Sequence, residues 1–301
     1  MRKAVIGIGS NSVRMLLCEV VGGCAVRRLR DRAGTRLFAG LDERRCLAED
    51  SMRTTAAAVR RMAETARLME AAEIRLFATS ATRDAVNAGD FAALLKAETG
   101  LDLEVIPGEE EAALSYLGAS GGGQAGVIDI GGGSTEIVVG CDAEIRSAVS
   151  CQIGAVRLSR MLPIRTADEV EQGVRAAAEI IRPELARCGT AELPADWVGT
   201  GGTFTCLASL VNGTAWEDRS RTQGTRVERG AAEAIACELA VLPMEERLRM
   251  PSLQPGRADI AVHGICILLA CMDLLGIPAI RVSEYGNLDG YFRKRFGLVL
   301  I

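Results

Sequence analysis

The sequence predicts an α/β protein made of two similar domains, each with helices packed on a mixed sheet. Three observations lead there. A strand–glycine turn–strand pattern occurs twice, strand-like and helix-like segments alternate after each copy, and a glycine run separates the halves. VIGIGSNSVRMLL, Val5 to Leu17, aligns with VIDIGGGSTEIVV, Val127 to Val139, at an offset of 122 residues, the separation of Gly7 from Asp129. Val, Ile, Ile, Gly and Ser coincide, and apolar runs close both copies.

After the first copy, a helical pattern over Ser51 to Ala72 precedes a short strand, Ile74 to Ala78. A second helix, Ala88 to Thr99, precedes a strand over Leu103 to Ile106. Ser120 to Gln124, SGGGQ, reads as a hinge and divides the chain into domains 1–122 and 123–301. The second half repeats the order, with a helix over Asp168 to Arg187, a strand at Trp197 to Gly199, and further helices. The most apolar stretch, Ile260 to Ile280, holds His263, Asp273, Gly276 and Pro278, whereas a membrane span needs about 20 uninterrupted apolar residues. It reads as a buried core helix ending near Gly276.

Composition narrows the function classes. At 301 residues and 49% hydrophobic, the chain can build real cores, and a net charge of −4 gives no reason to expect nucleic-acid binding. Ten cysteines with no C-x-x-C pair read as reduced, mostly buried thiols, and no signal peptide opens the chain, so a soluble, cytoplasmic protein off the membrane is expected. The single histidine, His263, lies in the apolar helix and reads as a satisfied core residue. That excludes a Ser-His-Asp triad and any multi-histidine metal site. Chemistry must then come from carboxylates, arginines, hydroxyls and backbone amides.

The glycine loops carry that chemistry. A dinucleotide loop must open a helix and a P-loop needs Gly-Lys-Ser/Thr; both copies instead run into β-type segments. What remains is an empty hairpin turn, or a hairpin aiming N–H groups and hydroxyls at an anion, and two matched copies favour the second. VGTGGTFTCLASL, Val198 to Leu210, is strand, glycine turn and helix, whose N-terminus suits an anion. ATSATRDA, Ala78 to Ala85, offers hydroxyls and Arg83. PGEEEAALSYLGA, Pro107 to Ala119, opens a helix with three glutamates, which taken alone either complement the helix dipole, the usual role in a first turn, or serve catalysis.

Taken in order, GIGSNSVRML, ATSATRDA, IPGEEEA, VIDIGGGSTEIV, GAVRL, VGTGGT and PGRADI resemble the exopolyphosphatase / guanosine pentaphosphate phosphohydrolase (Ppx/GppA) family, within the actin, sugar kinase and heat-shock ATPase fold group. The resemblance implies two ribonuclease-H-like domains with the active site in the cleft between them. It also implies Mg²⁺-assisted removal of terminal phosphate from polyphosphate or of the 5′ γ-phosphate from guanosine pentaphosphate. It puts the catalytic glutamate on Glu111 and the metal-linked carboxylates on Asp129 and Glu136. Phosphate binding falls on Gly9, Ser10, Asn11 and Ser12, on Gly131, Gly132, Gly133, Ser134 and Thr135, on Gly201, Gly202 and Thr203, and on Arg83. It allows a homodimer, which no motif here encodes.

Two departures stand out. The family has Asp where this chain has Gly7, and the internal repeat pairs Gly7 with Asp129. SEYGNLDGYF, Ser283 to Phe292, replaces a typical S-x-x-G-L-R-E-G, so that Arg becomes Leu288 and Glu becomes Asp289. The expectations are an exopolyphosphatase, an enzyme of the same chemistry acting on guanosine pentaphosphate, or a weakly catalytic sensor of either ligand. Restoring Gly7→Asp is expected to lower the Mg²⁺ requirement. Arg27, Arg28, Arg30, Arg32, Arg36, Arg219, Arg221 and Arg226 are candidates for a polyphosphate track or, more simply, a solvated hairpin face.

Overall fold

The computed structural model describes residues 1–187 and 193–301. They form two compact units, one of Met1–Gly118 with Asn287–Ile301, the other of Ala119–Gly286.

The first unit opens with β1 (Arg2–Ile8), β2 (Ser12–Val21) and β3 (Cys24–Gly34), an antiparallel meander. Its apolar run Ala4–Ile6 and the β2 residues Met15–Cys18 are wholly buried, so both faces of these strands are covered, as the near-continuous hydrophobic sequence requires. Helix α1 (Glu49–Leu68) follows, burying Ala56, Val59, Ala63 and Ala66 at helical spacing. It stops four residues before the predicted end because Glu70 turns left-handed (φ 57°) and β4 (Ala71–Ala78) begins at once. Then come a single turn, α2 (Ser80–Arg83), α3 (Ala88–Thr99), β5 (Leu103–Val105) and α4 (Gly108–Ala119). Strand β4 lies parallel to β1, and β5 parallel to β4.

The second unit repeats the plan. Strands β6 (Gln124–Ile130), β7 (Thr135–Cys141) and β8 (Glu144–Cys151) form the meander. Helices α5 (Ala155–Met161) and α6 (Ala167–Arg187) lead to β9 (Trp197–Thr200), which is parallel to β6. After α7 (Gly202–Asn212), β10 (Arg226–Glu228), α8 (Arg229–Val241) and α9 (Met244–Arg249), the chain enters α10 (Ala261–Leu275) and β11 (Ala279–Val282). Residues 261–272 of α10 are all buried and the helix ends on left-handed Gly276, as its sequence predicts. Among the described residues no helix is long and apolar enough to cross a membrane.

The chain then returns. Helix α11 (Asn287–Phe296) and β12 (Val299–Leu300) belong to the first unit, where β12 extends the sheet beside β3. This corrects the expected division at residue 122, which assigned everything after it to the second domain. The cause is apolar: Leu288, Tyr291 and Phe292 share a buried cluster with Val5, Leu16, Phe77, Ile106 and Leu114. Gly290 allows the approach, since a Cβ there would overlap the Leu114 carbonyl.

The sheet orders are β12-β3-β2-β1-β4-β5 and β10-β11-β9-β6-β7-β8. The 122-residue repeat holds in detail. Register shifts interrupt both meanders at equivalent points, Leu17/Cys18 and Val139/Gly140.

Candidate active site

Each unit presents its own hairpin turn. In the first, the Gly9 N–H donates to Ser12 O at 3.0 Å; in the second, Gly131 donates to Ser134 O at 3.0 Å, the same bond 122 residues on. The residues flanking each turn have diverged. Asp129 on β6 stands opposite Glu136 on β7, whereas Gly7 on β1 stands opposite Arg14 on β2. Directly opposed residues project to one face of a sheet. One hairpin therefore carries an acidic pair and the other a single cation.

In the first unit, the Ser10–Asn11 carbonyls are held from behind by the following segment: Thr35 and Arg36 N–H groups donate to Asn11 O, and Phe38 N–H to Ser10 O. Thr79 N–H donates to Ile8 O at 3.1 Å, which fastens the α2 loop to the end of β1. Around these loops Asn11 Oδ1, Thr35 Oγ1, Ser80 Oγ, Thr82 Oγ1 and Arg83 Nη2 are buried and meet no partner among the described residues. Buried polar atoms are ordinarily satisfied, so such a concentration is where a water, an ion or a polar ligand would be held. Ser12 is also buried here.

Glu111 lies in the first turn of α4, and only one of the three glutamates there turns inward. Glu109 is exposed, and Glu110 pairs with Lys294 at 2.9 Å and Arg295 at 3.0 Å. Glu111 is 5% exposed and receives Arg83 Nη1 on Oε2 at 3.1 Å, while Nδ2 of Asn287 stands 3.4 Å from Oε1. The dipole-only reading of this glutamate run fits Glu109 and Glu110; it leaves a buried carboxylate at 111 unexplained. Arg83, predicted from sequence to touch phosphate, divides its guanidinium. Nη1 serves Glu111 and the Ile106 carbonyl, and Nη2 is the orphan named above.

Gly7 does not have the freedom expected of it. Its backbone is not left-handed, but a Cβ would lie 2.8 Å from Phe77 Cζ and 3.2 Å from Leu288 Cδ1. Phe77 is fully buried and stacked on Tyr291 at 4.2 Å, so it cannot swing aside cheaply. The place of a carboxylate is occupied by hydrocarbon from Phe77 and from Leu288, one of the two departures noted near the C-terminus.

In the second unit, Asp129 and Glu136 are 7% and 1% exposed, and Ser150 donates to Glu136 Oε1 at 2.8 Å. Gly201, left-handed at φ 94°, leaves room beside Asp129: a Cβ there would stand 2.6 Å from Oδ1. Two carboxylates with space next to one of them form a hard-oxygen donor set, suited to a cation that keeps most of its waters and takes phosphate oxygens as well. No cluster of three or more potential metal-binding side chains occurs among the described residues. Gly131, Gly132 and Gly133 form the turn; the carbonyls of the first two accept from the start of α5, and that of Gly133 from Arg157 Nε. Ser134 is buried, and the Thr135 hydroxyl donates to the Ile153 carbonyl at 2.6 Å, tying the turn down. Gly202 and Thr203 open α7, with the Arg257 guanidinium lying where a Cβ on Gly202 would be. The VGTGGT and PGRADI motifs thus meet at one helix N-terminus.

Four residues escaped the sequence reading as site residues. Arg14 was legible from the repeat offset, which sets it against Glu136. Asn287, Ser150 and the role of Phe77 gave no local signal. Of the proposed basic track, Arg27 and Arg30 both bind buried Asp289, and Arg28 pairs with Glu19.

The family model described as the Ppx/GppA phosphatase family matches residues 22–295. Exopolyphosphatase 2 of Mycobacterium tuberculosis is 35% identical over 310 residues, covering 96% of this chain and 97% of that protein. Among solved structures, an exopolyphosphatase-like protein superposes with a TM-score of 0.88 at 27% identity, covering 98% of this chain and 100% of that one. The Aquifex aeolicus Ppx/GppA family member does so at 0.81 and 28%, covering 98% and 97%. With a family model over most of its length and a relative sharing a third of its residues across nearly all of it, the chain belongs to the Ppx/GppA phosphatase family and is a phosphoanhydride hydrolase.

Proposed function

We propose that the chain is a Mg²⁺-assisted exopolyphosphatase that removes terminal orthophosphate from inorganic polyphosphate. The observation that carries this reading is the set of buried, unpartnered donors, the hydroxyls of Thr35, Ser80 and Thr82 and Nη2 of Arg83. Hydroxyls and a guanidinium are the donors that a phosphate oxygen needs. The name of the 35%-identical relative, an exopolyphosphatase, supports polyphosphate as the chain that supplies it.

Phosphoryl transfer is mostly positioning and charge neutralisation. Glu111, held on both oxygens, orients the attacking water and takes its proton. Arg83 offers its remaining N–H groups to the terminal phosphate, and the Gly9–Ser12 turn offers its amides and hydroxyls. Asp129 and Glu136 would hold Mg²⁺, with Ser150 fixing the Glu136 carboxylate. Neutralisation of the terminal phosphate oxygens is the chemistry that the ion supplies when bound.

The test is orthophosphate release from long-chain polyphosphate and from guanosine pentaphosphate side by side, with and without Mg²⁺. Faster release from polyphosphate, dependent on the cation, is expected. Preference for guanosine pentaphosphate would change the substrate and keep the chemistry. Binding of either without release would make the protein a sensor.

A further inference from the structure

Asn287 is the first residue of the segment that returns to the first unit, and it is 3% exposed. Its side chain touches two charged groups of that unit. Nη2 of Arg14 donates to its Oδ1 at 2.8 Å, and its Nδ2 faces Glu111 Oε1 at 3.4 Å. Chemistry fixes the orientation of this amide. A guanidinium only donates, so the amide oxygen must face Arg14, and the NH₂ is left facing an acceptor-only carboxylate. No other side chain of this size serves both neighbours. Aspartate would set one carboxylate against another, and an aliphatic residue would meet neither.

We propose that Asn287 is the positioning residue for Glu111: a two-handed amide that fixes the plane of the carboxylate and tethers Arg14 one step behind it. Glu111 is thereby met by a charged donor, Arg83 on Oε2, and by a neutral one, Asn287 on Oε1. A second arginine in place of the amide would hold the plane equally well and make the carboxylate a poorer base. The neutral amide gives orientation with less loss of basicity. Glu110 on the same helix is itself paired with Lys294 and Arg295 of α11.

This inference rests on the role proposed for Glu111, so two readouts are needed, one of them independent of turnover. Asn287→Asp keeps the acceptor for Arg14 and loses the donor to Glu111; Asn287→Ala loses both. In the full chain, the Glu111 carboxyl is followed by ¹³C NMR titration, assigned by its absence in Glu111→Gln. Asn287→Asp is expected to raise the Glu111 midpoint by about one pH unit, since a like charge has replaced a donor. With polyphosphate and Mg²⁺, both variants are expected to lose about tenfold or more in kcat. A thermal melt of each variant shows that it is folded, and either variant alone decides the kcat question. An unmoved Glu111 midpoint in Asn287→Asp, or a kcat within twofold of the parent in either variant, overturns the proposal. If the parent releases no phosphate from polyphosphate or guanosine pentaphosphate, the functional reading falls, and the titration still decides the role of Asn287.

Discussion

Gly7 and Asp129 occupy the same place in the two hairpins, and what surrounds them decides what each can do. At Gly7 the ring of Phe77 and the Leu288 methyl fill the space that a side chain would need. Gly7→Asp is therefore expected to cost about 1–3 kcal/mol of stability by overpacking, read as a lower urea midpoint with an unchanged slope. A parent-like midpoint would show that Phe77 yields freely. Asp129→Asn leaves the strand register intact and removes one of two anionic oxygen donors. The Mg²⁺ concentration for half-maximal rate should rise about tenfold or more. An unchanged metal titration would remove Asp129 from the ion's shell. Sequence showed Gly7 as a missing carboxylate, because the repeat and the family motif both point there. It could not show that the gap is filled, since Phe77 and Leu288 lie 70 and 281 residues away along the chain.

Among the described helices, α10 has the longest buried run, Ala261 to Met272, and it carries the only histidine. His263 is the core residue that its apolar setting predicts, but it is satisfied at one ring nitrogen only: Nε2 meets the Leu162 carbonyl at 3.0 Å, while buried Nδ1 meets no hydrogen-bond partner among the described residues. Burial lowers its pKa below the ordinary value of 6.5. The unfolded chain then takes up a proton before the folded one does, so this residue costs stability as pH falls below about 6.5, by at most ~1.4 kcal/mol per pH unit, and costs nothing above it. His263→Gln keeps a donor for Leu162 and should flatten the fall of the melting temperature between neutral pH and pH 5. An equally steep fall in the variant would mean that other groups set the acid limb. Cys18 and Cys266 are buried, and burial pushes both thiols up to about 12, which keeps them protonated. Long periodic helices such as α1 and α6 were legible to within a few residues. Strand β3 was harder to place, because its arginines suggest a solvated face; Arg27 and Arg30 are instead drawn to Asp289, more than 250 residues later.

At the scale of the whole chain, the internal repeat was the strongest signal, and it survives as two sheets with matched meanders, matched turn bonds and matched bulges. The return of residues 287–301 to the first unit was not legible, since no local pattern tells a helix which of two similar cores it will join. That return shapes the candidate site, because it delivers Asn287 to Glu111 and Leu288 to Gly7. The proposal at this scale is that the chain hydrolyses terminal phosphate from polyphosphate with Glu111 as the base. Its most direct test is orthophosphate release from long-chain polyphosphate by the parent and by Glu111→Gln, with and without Mg²⁺, alongside polyphosphate binding by both. The parent is expected to release phosphate only with the cation, and Glu111→Gln to bind as the parent does while losing about 10² to 10⁴ in turnover. Turnover by Glu111→Gln within threefold of the parent would contradict the claim.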